Sequence, residues 1–137
     1  MKVYLDENLP PFVVQPLSIV YSDHDFRTCD QEELRGMEDV PLLSQLRDRG
    51  FDAIVTRDRA QLKDPDERDA VAASGLRWIG VADKKLRGLE QITITVSTLI
   101  AGMRFVFEHT PDGPTSYALH TVPHGETQRV KIRSIAA

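Results

Sequence analysis

The chain has 137 residues, of which 41% are apolar and 28% charged, which suffices for one hydrophobic core, leaves nothing for a second, and excludes a disordered chain. Seventeen basic against twenty-one acidic side chains give a net charge of −4; no overall positive field holds nucleic acid, and a polyanion must meet a local basic patch or a metal ion. A single cysteine, Cys29, excludes an internal disulfide and fits a reducing cytoplasm.

The opening MKVYLDEN carries carboxylates at positions 6 and 7, so it does not read as a signal peptide. Lys2 to Leu5 is β-favouring, and Asp6-Glu7-Asn8 closes it before Pro10 and Pro11, which suit a helix start better than a sheet interior. The pattern predicts strand, loop and a short helix ending near Pro16. A second extended segment falls at Ile19 to Tyr21 or at Asp25 to Thr28, and local pattern alone does not choose between them.

From Met37, the positions Val40, Leu43 and Leu46 recur at helical spacing and Gly50 stands where a left-handed cap is expected. Asp52 to Thr56 then predicts a short buried strand of parallel type, closed by the turn Arg57-Asp58-Arg59. Asp64-Pro65-Asp66-Glu67 reads as cap, first-turn proline and acid, opening a helix that stops at Gly75, and Trp78 to Ala82 predicts another strand.

Between Ile92 and Phe107 the residues Ile92, Val96, Leu99, Ile100, Met103 and Phe107 share one helical face. The weakly polar part of this run, Ile92 to Met103, is twelve residues, short of the roughly twenty that span a bilayer, so a cytoplasmic protein without membrane contact is expected. After the turn Pro111-Asp112-Gly113-Pro114, Ser116 to Val122 and Arg129 to Ile135 alternate as strands do and predict a two-stranded ribbon. The expected fold is one α/β domain over residues 1–137, in which 1–110 form an α/β core with a mostly parallel sheet and 111–137 a C-terminal β-ribbon.

In such sheets the working site lies beyond the carboxyl ends of the strands. Asp6 follows the first strand, Asp58 follows the strand ending at Thr56, and Asp39 opens the helix leading into that strand. All three are therefore expected at one edge, where carboxylates repel unless protonated or bridged by a hard cation such as Mg²⁺. Asp83, directly after the strand ending at Ala82, is a candidate fourth ligand, with Glu7 and Glu38 further candidates. A metal held by carboxylates with open water positions suits phosphodiester hydrolysis. Arg57, Arg59, Lys63, Lys84 and Lys85 fall in the adjoining loops and are candidate contacts to a nucleic acid backbone.

The segments KVYLDENLPP, GMEDVPLL and AIVTRDR together resemble the PIN-like nuclease domains, in particular the small branch that forms the toxin component of bacterial toxin–antitoxin pairs, over about residues 1 to 83. The resemblance implies a three-layer α/β/α fold and a ribonuclease dependent on Mg²⁺ or Mn²⁺. In it Asp6, Asp39 and Asp58 are the metal-binding and catalytic acids and a metal-activated water is the nucleophile. It further implies an RNA substrate and an antitoxin partner, and admits a homodimer. Where the family commonly carries a second acid and an aromatic after the TRD aspartate, this chain has Ala60 and Gln61.

Plainer readings stand beside these. Any one of the three aspartates, taken alone, fits a helix cap equally well; Asn8 reads first as a cap or turn residue and second as a group that orients Asp6. His24, His109, His120 and His124 show no ligand spacing. Two other functions compete with hydrolysis: a catalytically silent module that binds RNA or a protein, and phosphoryl transfer through Asp6, for which no neighbouring DxD or lysine partner is evident.

Overall fold

The computed structural model describes residues 1–82 and 86–136. Strands β1 (Lys2–Leu5), β2 (Asp25–Thr28), β3 (Ala53–Thr56), β4 (Arg77–Val81) and β5 (Ser116–Leu119) form one sheet in the order β2-β1-β3-β4-β5, with every pairing parallel. Helices α1 (Val14–Val20), α2 (Cys29–Glu32), α3 (Asp39–Asp48), α4 (Pro65–Ser74), α5 (Leu89–Glu108) and the single turn α6 (Glu126–Arg129) complete the chain. Among the described residues no helix is long and apolar enough to cross a membrane.

The strands alternate their side chains between two cores, which makes the fold three-layered. On one face Val3, Leu5, Val55 and Ile79 pack with Leu17 of α1 and with Leu99, Met103 and Val106 of α5. On the other, Tyr4, Ile54 and Trp78 meet Leu42, Leu43 and Leu46 of α3 and Val71 of α4. Burial on both faces is why β3 reads Ala-Ile-Val-Thr, with no charged residue.

The helix from Met37 starts at Asp39 and the one capped by Asp64 runs Pro65–Ser74, with Gly50 and Gly75 at φ +79° and +73° past their ends. Of the two candidate extended segments, Asp25 to Thr28 is the strand, because it supplies the rungs paired with Lys2 to Leu5. Pro16 lies in the first turn of α1 and not near its end; a 3-10 turn at Pro11–Val13 feeds the helix, and the third helical N–H that proline lacks has no acceptor there anyway.

The C-terminal ribbon does not form. Ser116–Leu119 is a strand, but it joins β4 in parallel, while Glu126–Arg129 is a helical turn and residues 130–136 form no strand. The reason lies in α5: twenty residues span about 30 Å and carry the chain back to the amino edge, so the next strand runs alongside β4 and completes a βαβ unit.

Gly80 of β4 lies beneath the Trp78 ring; a Cβ there would stand 2.4 Å from the Trp78 Cζ3. Trp78 is buried and its indole N–H donates to Gln61 Oε1 at 3.0 Å, so the ring has nowhere to retreat. Gly80→Ala is expected to destabilise by about 1–3 kcal/mol, read as a lowered urea midpoint together with changed Trp fluorescence.

Candidate active site

The strand order reverses between β1 and β3, since the chain leaves β1 for the edge at β2 and returns on the other side at β3. In open parallel sheets the crevice beyond the carboxyl ends at such a reversal is where ligands bind. Asp6 stands one residue beyond β1 and Asp58 two residues beyond β3, so both border it.

Asp6 is 7% exposed. Its N–H donates to the Val55 carbonyl at 3.0 Å, extending the sheet by one rung. Its Oδ1 accepts the Glu7 N–H at 2.8 Å; its Oδ2 accepts the Thr56 hydroxyl at 2.7 Å and Asn8 Nδ2 at 3.4 Å. Thr56, fully buried, is the centre of this network. Its hydroxyl gives its one proton to Asp6 and accepts Asn8 Nδ2 and the Asp58 N–H, both at 3.0 Å, which fills its hydrogen-bonding capacity. Asn8 Oδ1 also accepts the Arg57 N–H at 3.1 Å. The loops after β1 and β3 are thereby locked to one another, and Asn8 acts as the orienting group.

Burial pushes the Asp6 carboxyl above the ordinary aspartate range; the Thr56 and Glu7 hydrogen bonds pull it back, and the charges of Asp39 and Glu7 add to the upward push. Asp58 Oδ1 accepts the Ala60 N–H at 3.0 Å and caps the 3-10 turn Arg59–Leu62. The cap reading of Asp58 is therefore correct, and it occupies one of the two carboxylate oxygens. Asp39 is not the cap of α3, a position held by Glu38; it sits half-buried at the first helical residue, where the helix dipole favours negative charge.

The N-termini of α3 and α4 lie side by side, and an open cleft of about 310 Å³ between them is lined by Glu38, Asp39, Pro41 and Glu67. Lost hydration raises the Glu67 carboxyl, followed by the charges of Asp39, Asp64 and Asp58. Glu67 thus joins the acidic edge. The sequence reading assigned it only to the first turn of α4. The signal that finds it is the edge rule itself: α4 follows β3 and so begins at the same carboxyl end as Asp58.

Glu7 Oε2 accepts the Gly36 N–H at 3.0 Å, tying the β1 loop to the segment that leads into α3. Arg57 reaches back from the β3 loop, donating to the Asn8 carbonyl at 3.4 Å and to Thr95 Oγ1 of α5 at 2.6 Å, so its guanidinium braces the site. Arg59 and Lys63 are exposed beside Asp58. Asp83, Lys84 and Lys85 lie outside the described residues.

Among the described residues, no three Asp, Glu, His or Cys side chains are grouped so as to hold a metal ion by themselves. Asp6, Asp39, Asp58 and Glu67 share an edge and a field without forming one ready coordination shell. The donor chemistry, hard carboxylate oxygens only, fits Mg²⁺ or Mn²⁺. Mg²⁺ in particular keeps several waters and is bound through one or two carboxylates plus substrate phosphates.

Residues 1–83 match a family model described as a PIN like domain. No curated protein and no solved structure matches the chain.

Proposed function

The chain belongs to the PIN-like domain family, whose members are generally nucleases, and on that premise we propose that it is a Mg²⁺- or Mn²⁺-dependent ribonuclease, the toxin of a toxin–antitoxin pair. The observation that carries this reading is the hydrogen-bond network of Thr56, which holds the carboxylate of Asp6 and the backbone of Asp58 together at the strand-order reversal. Asp6, Asp39 and Asp58 are the acids proposed to face the ion, and Asp83 is a further candidate. Glu67 adds charge beside Asp39.

A bound dication supplies charge neutralisation at the scissile phosphate and lowers the pKa of the attacking water. The chain itself does the positioning. Thr56 and the Glu7 N–H fix both oxygens of Asp6, so the carboxylate needs no reorganisation when charge develops nearby. Arg59 and Lys63, with Lys84 and Lys85, are proposed to hold the RNA backbone, which their net-acidic surroundings would otherwise repel. A cytoplasmic location, an antitoxin partner and a homodimer belong to this same reading.

The test is RNA cleavage by the purified chain with Mn²⁺, with Mg²⁺ and with chelator, alongside calorimetric titration of Mn²⁺. Cleavage that needs the ion and is lost in Asp58→Asn supports the proposal; full metal-dependent cleavage by Asp58→Asn removes it. Thr56→Val is expected to cost about 10–100-fold in metal affinity or activity, the usual effect of losing a group that orients a ligand. The silent-module reading is favoured by the lack of a ready three-acid cluster among the described residues, and it predicts RNA or protein binding with no heat on adding Mn²⁺ at millimolar concentration. Co-purification with a small DNA-binding protein that blocks cleavage tests the toxin assignment.

A further inference from the structure

Of the two edges of the sheet, one is guarded. Asp25 and Arg27 stand on β2, and Arg27 pairs with Glu32 at 3.3 Å; charges of this kind keep other chains off an edge. The other edge, β5, reads Ser-Tyr-Ala-Leu, with neither charge nor proline. Its inner side pairs with β4, and no strand among the described residues pairs with its outer side. The Trp78 N–H donates to the Thr115 carbonyl at 3.0 Å. In this parallel ladder Thr115 and Tyr117 therefore turn their main-chain groups toward β4, and Ser116 and Ala118 turn theirs outward. Both outward residues are exposed.

A strand laid along that edge sends its side chains alternately to two faces. Tyr117 and Leu119 pack on the α5 side, where a hollow of about 370 Å³ is lined by Ala101, Gly102, Phe105 and Leu119 and by no Asp, Glu, Lys or Arg. Phe105 remains 55% exposed there. On the α4 side a hollow of about 380 Å³ opens between Leu62, Arg68, Ala72, Trp78 and Ser116.

The second face is cationic. Among the described residues Arg68 is the one charged side chain lining its hollow, while the neighbouring Glu67 lines the cleft beside Asp39 on the other flank of α4. A further hollow of about 280 Å³, which shares Ala72 and Pro114 with it, holds Arg77 and Asp112. The Arg77 Nε is buried without a hydrogen-bond partner, and among the described residues neither Arg68 nor Arg77 enters an ion pair. The chain's own tail does not suit this edge, since Lys131 and Arg133 alternate with Val130 and Ile132 and would bring like charge to Arg68.

We propose that the outer edge of β5 takes an extended segment of a partner protein in which apolar and acidic residues alternate. Its main chain pairs with Ser116 and Ala118, its apolar side chains enter the hollow beside Phe105, and its carboxylates meet Arg68 and, at the amino end of the sheet, Arg77. Main-chain pairing supplies affinity and the two unlike faces supply specificity. The surface lies away from the acidic edge and serves whether or not the chain cuts RNA.

Fluorescence anisotropy in the presence of chelator tests this, with a labelled peptide of alternating Val and Glu beside one of alternating Val and Lys. The Glu peptide is expected to bind at least about tenfold tighter and to slow hydrogen exchange at Ser116 and Ala118. Arg68→Glu, at an exposed residue, is expected to invert that order. Ala118→Pro removes an outward donor at a place where edge strands accept proline, and is expected to abolish binding of both peptides with circular dichroism unchanged; if that variant does not fold, Arg68→Glu decides alone. No binding of the Glu peptide overturns the proposal, as does equal binding by Arg68→Glu or binding retained in folded Ala118→Pro. Displacement of the peptide by single-stranded RNA assigns the cationic face to RNA and overturns it too. So does slow exchange at Ser116 and Ala118 before any peptide is added, because the edge is then already filled by a second copy or by the tail. None of these readouts depends on cleavage or on metal.

Discussion

Asp6→Asn is expected to lower metal-dependent RNA cleavage by more than the roughly 10–100-fold that follows loss of an orienting group, because Asp6 is the buried carboxylate on which the Thr56 and Asn8 contacts converge. The same substitution has a signature in stability. Burial raises the Asp6 pKa from 3.8, so over the pH range just above that value the folded state holds a proton the unfolded chain has released. Stability contributed by this group is therefore lost as pH rises through that window, and it stays lost at higher pH. Asparagine does not titrate. Urea unfolding of both proteins from about pH 3 to pH 7 should show the wild type losing stability relative to Asp6→Asn as pH rises through the window, with no further change above it. A constant difference across the range would contradict the burial account of Asp6, and retained cleavage would remove Asp6 from the active site.

Leu46→Ala is expected to cost about 2–5 kcal/mol. Leu46 is fully buried on the inner side of α3, in the core shared with Tyr4, Leu43, Phe51 and Ile54, so truncation leaves a hollow between helix and sheet that neighbours on a rigid strand do not fill. Against a total stability of about 5–15 kcal/mol for an ordinary domain, the loss is large. It should appear as a lowered urea midpoint with an unchanged slope. A loss under about 1 kcal/mol would mean that α3 collapses onto the sheet more freely than a close-packed interior allows.

The two predictions lie on opposite sides of one trade. Leu46 stabilises through burial alone, whereas Asp6 is a carboxylate buried at a cost that its three hydrogen bonds offset only in part. Perturbed carboxylates in crevices cluster at functional sites, and on that ground Asp6 is proposed for the chemistry. Here the geometry adds a reason: every donor around Asp6 comes from the loop after β1 or from Thr56 at the carboxyl end of β3, the two strands between which the strand order reverses.

Periodicity and caps carry local information, and they located β1, β3, β4 and β5 and the ends of α4, with β2 narrowed to two candidate segments and α3 to within two residues of its start. The Asp64-Pro65 start, the glycines at 50 and 75 and the apolar stripe of Ile92 to Phe107 each act within a few residues, so reading them needs no knowledge of the rest of the chain. The acids after β1 and β3 were legible for a related reason: a parallel sheet puts all strand ends on one side, and order in sequence becomes position in space.

What the chain alone left open depends on contacts between distant residues. Whether Asp25 to Thr28 or Ile19 to Tyr21 is the strand turns on which supplies rungs to Lys2 to Leu5. Whether Ser116 to Leu119 pairs with the tail or with β4 turns on where a twenty-residue helix delivers it. That Thr56 is the centre of the site, that Arg57 braces it, and that Glu67 joins its field follow from loops and helix ends that are tens of residues apart in sequence and adjacent only once folded. Side-chain pattern determined which segments are helix and which are strand, because those preferences act through neighbouring residues. Only the packed sheet decided which polar groups meet, because hydrogen bonds and charge act over a few ångströms of space irrespective of distance along the chain.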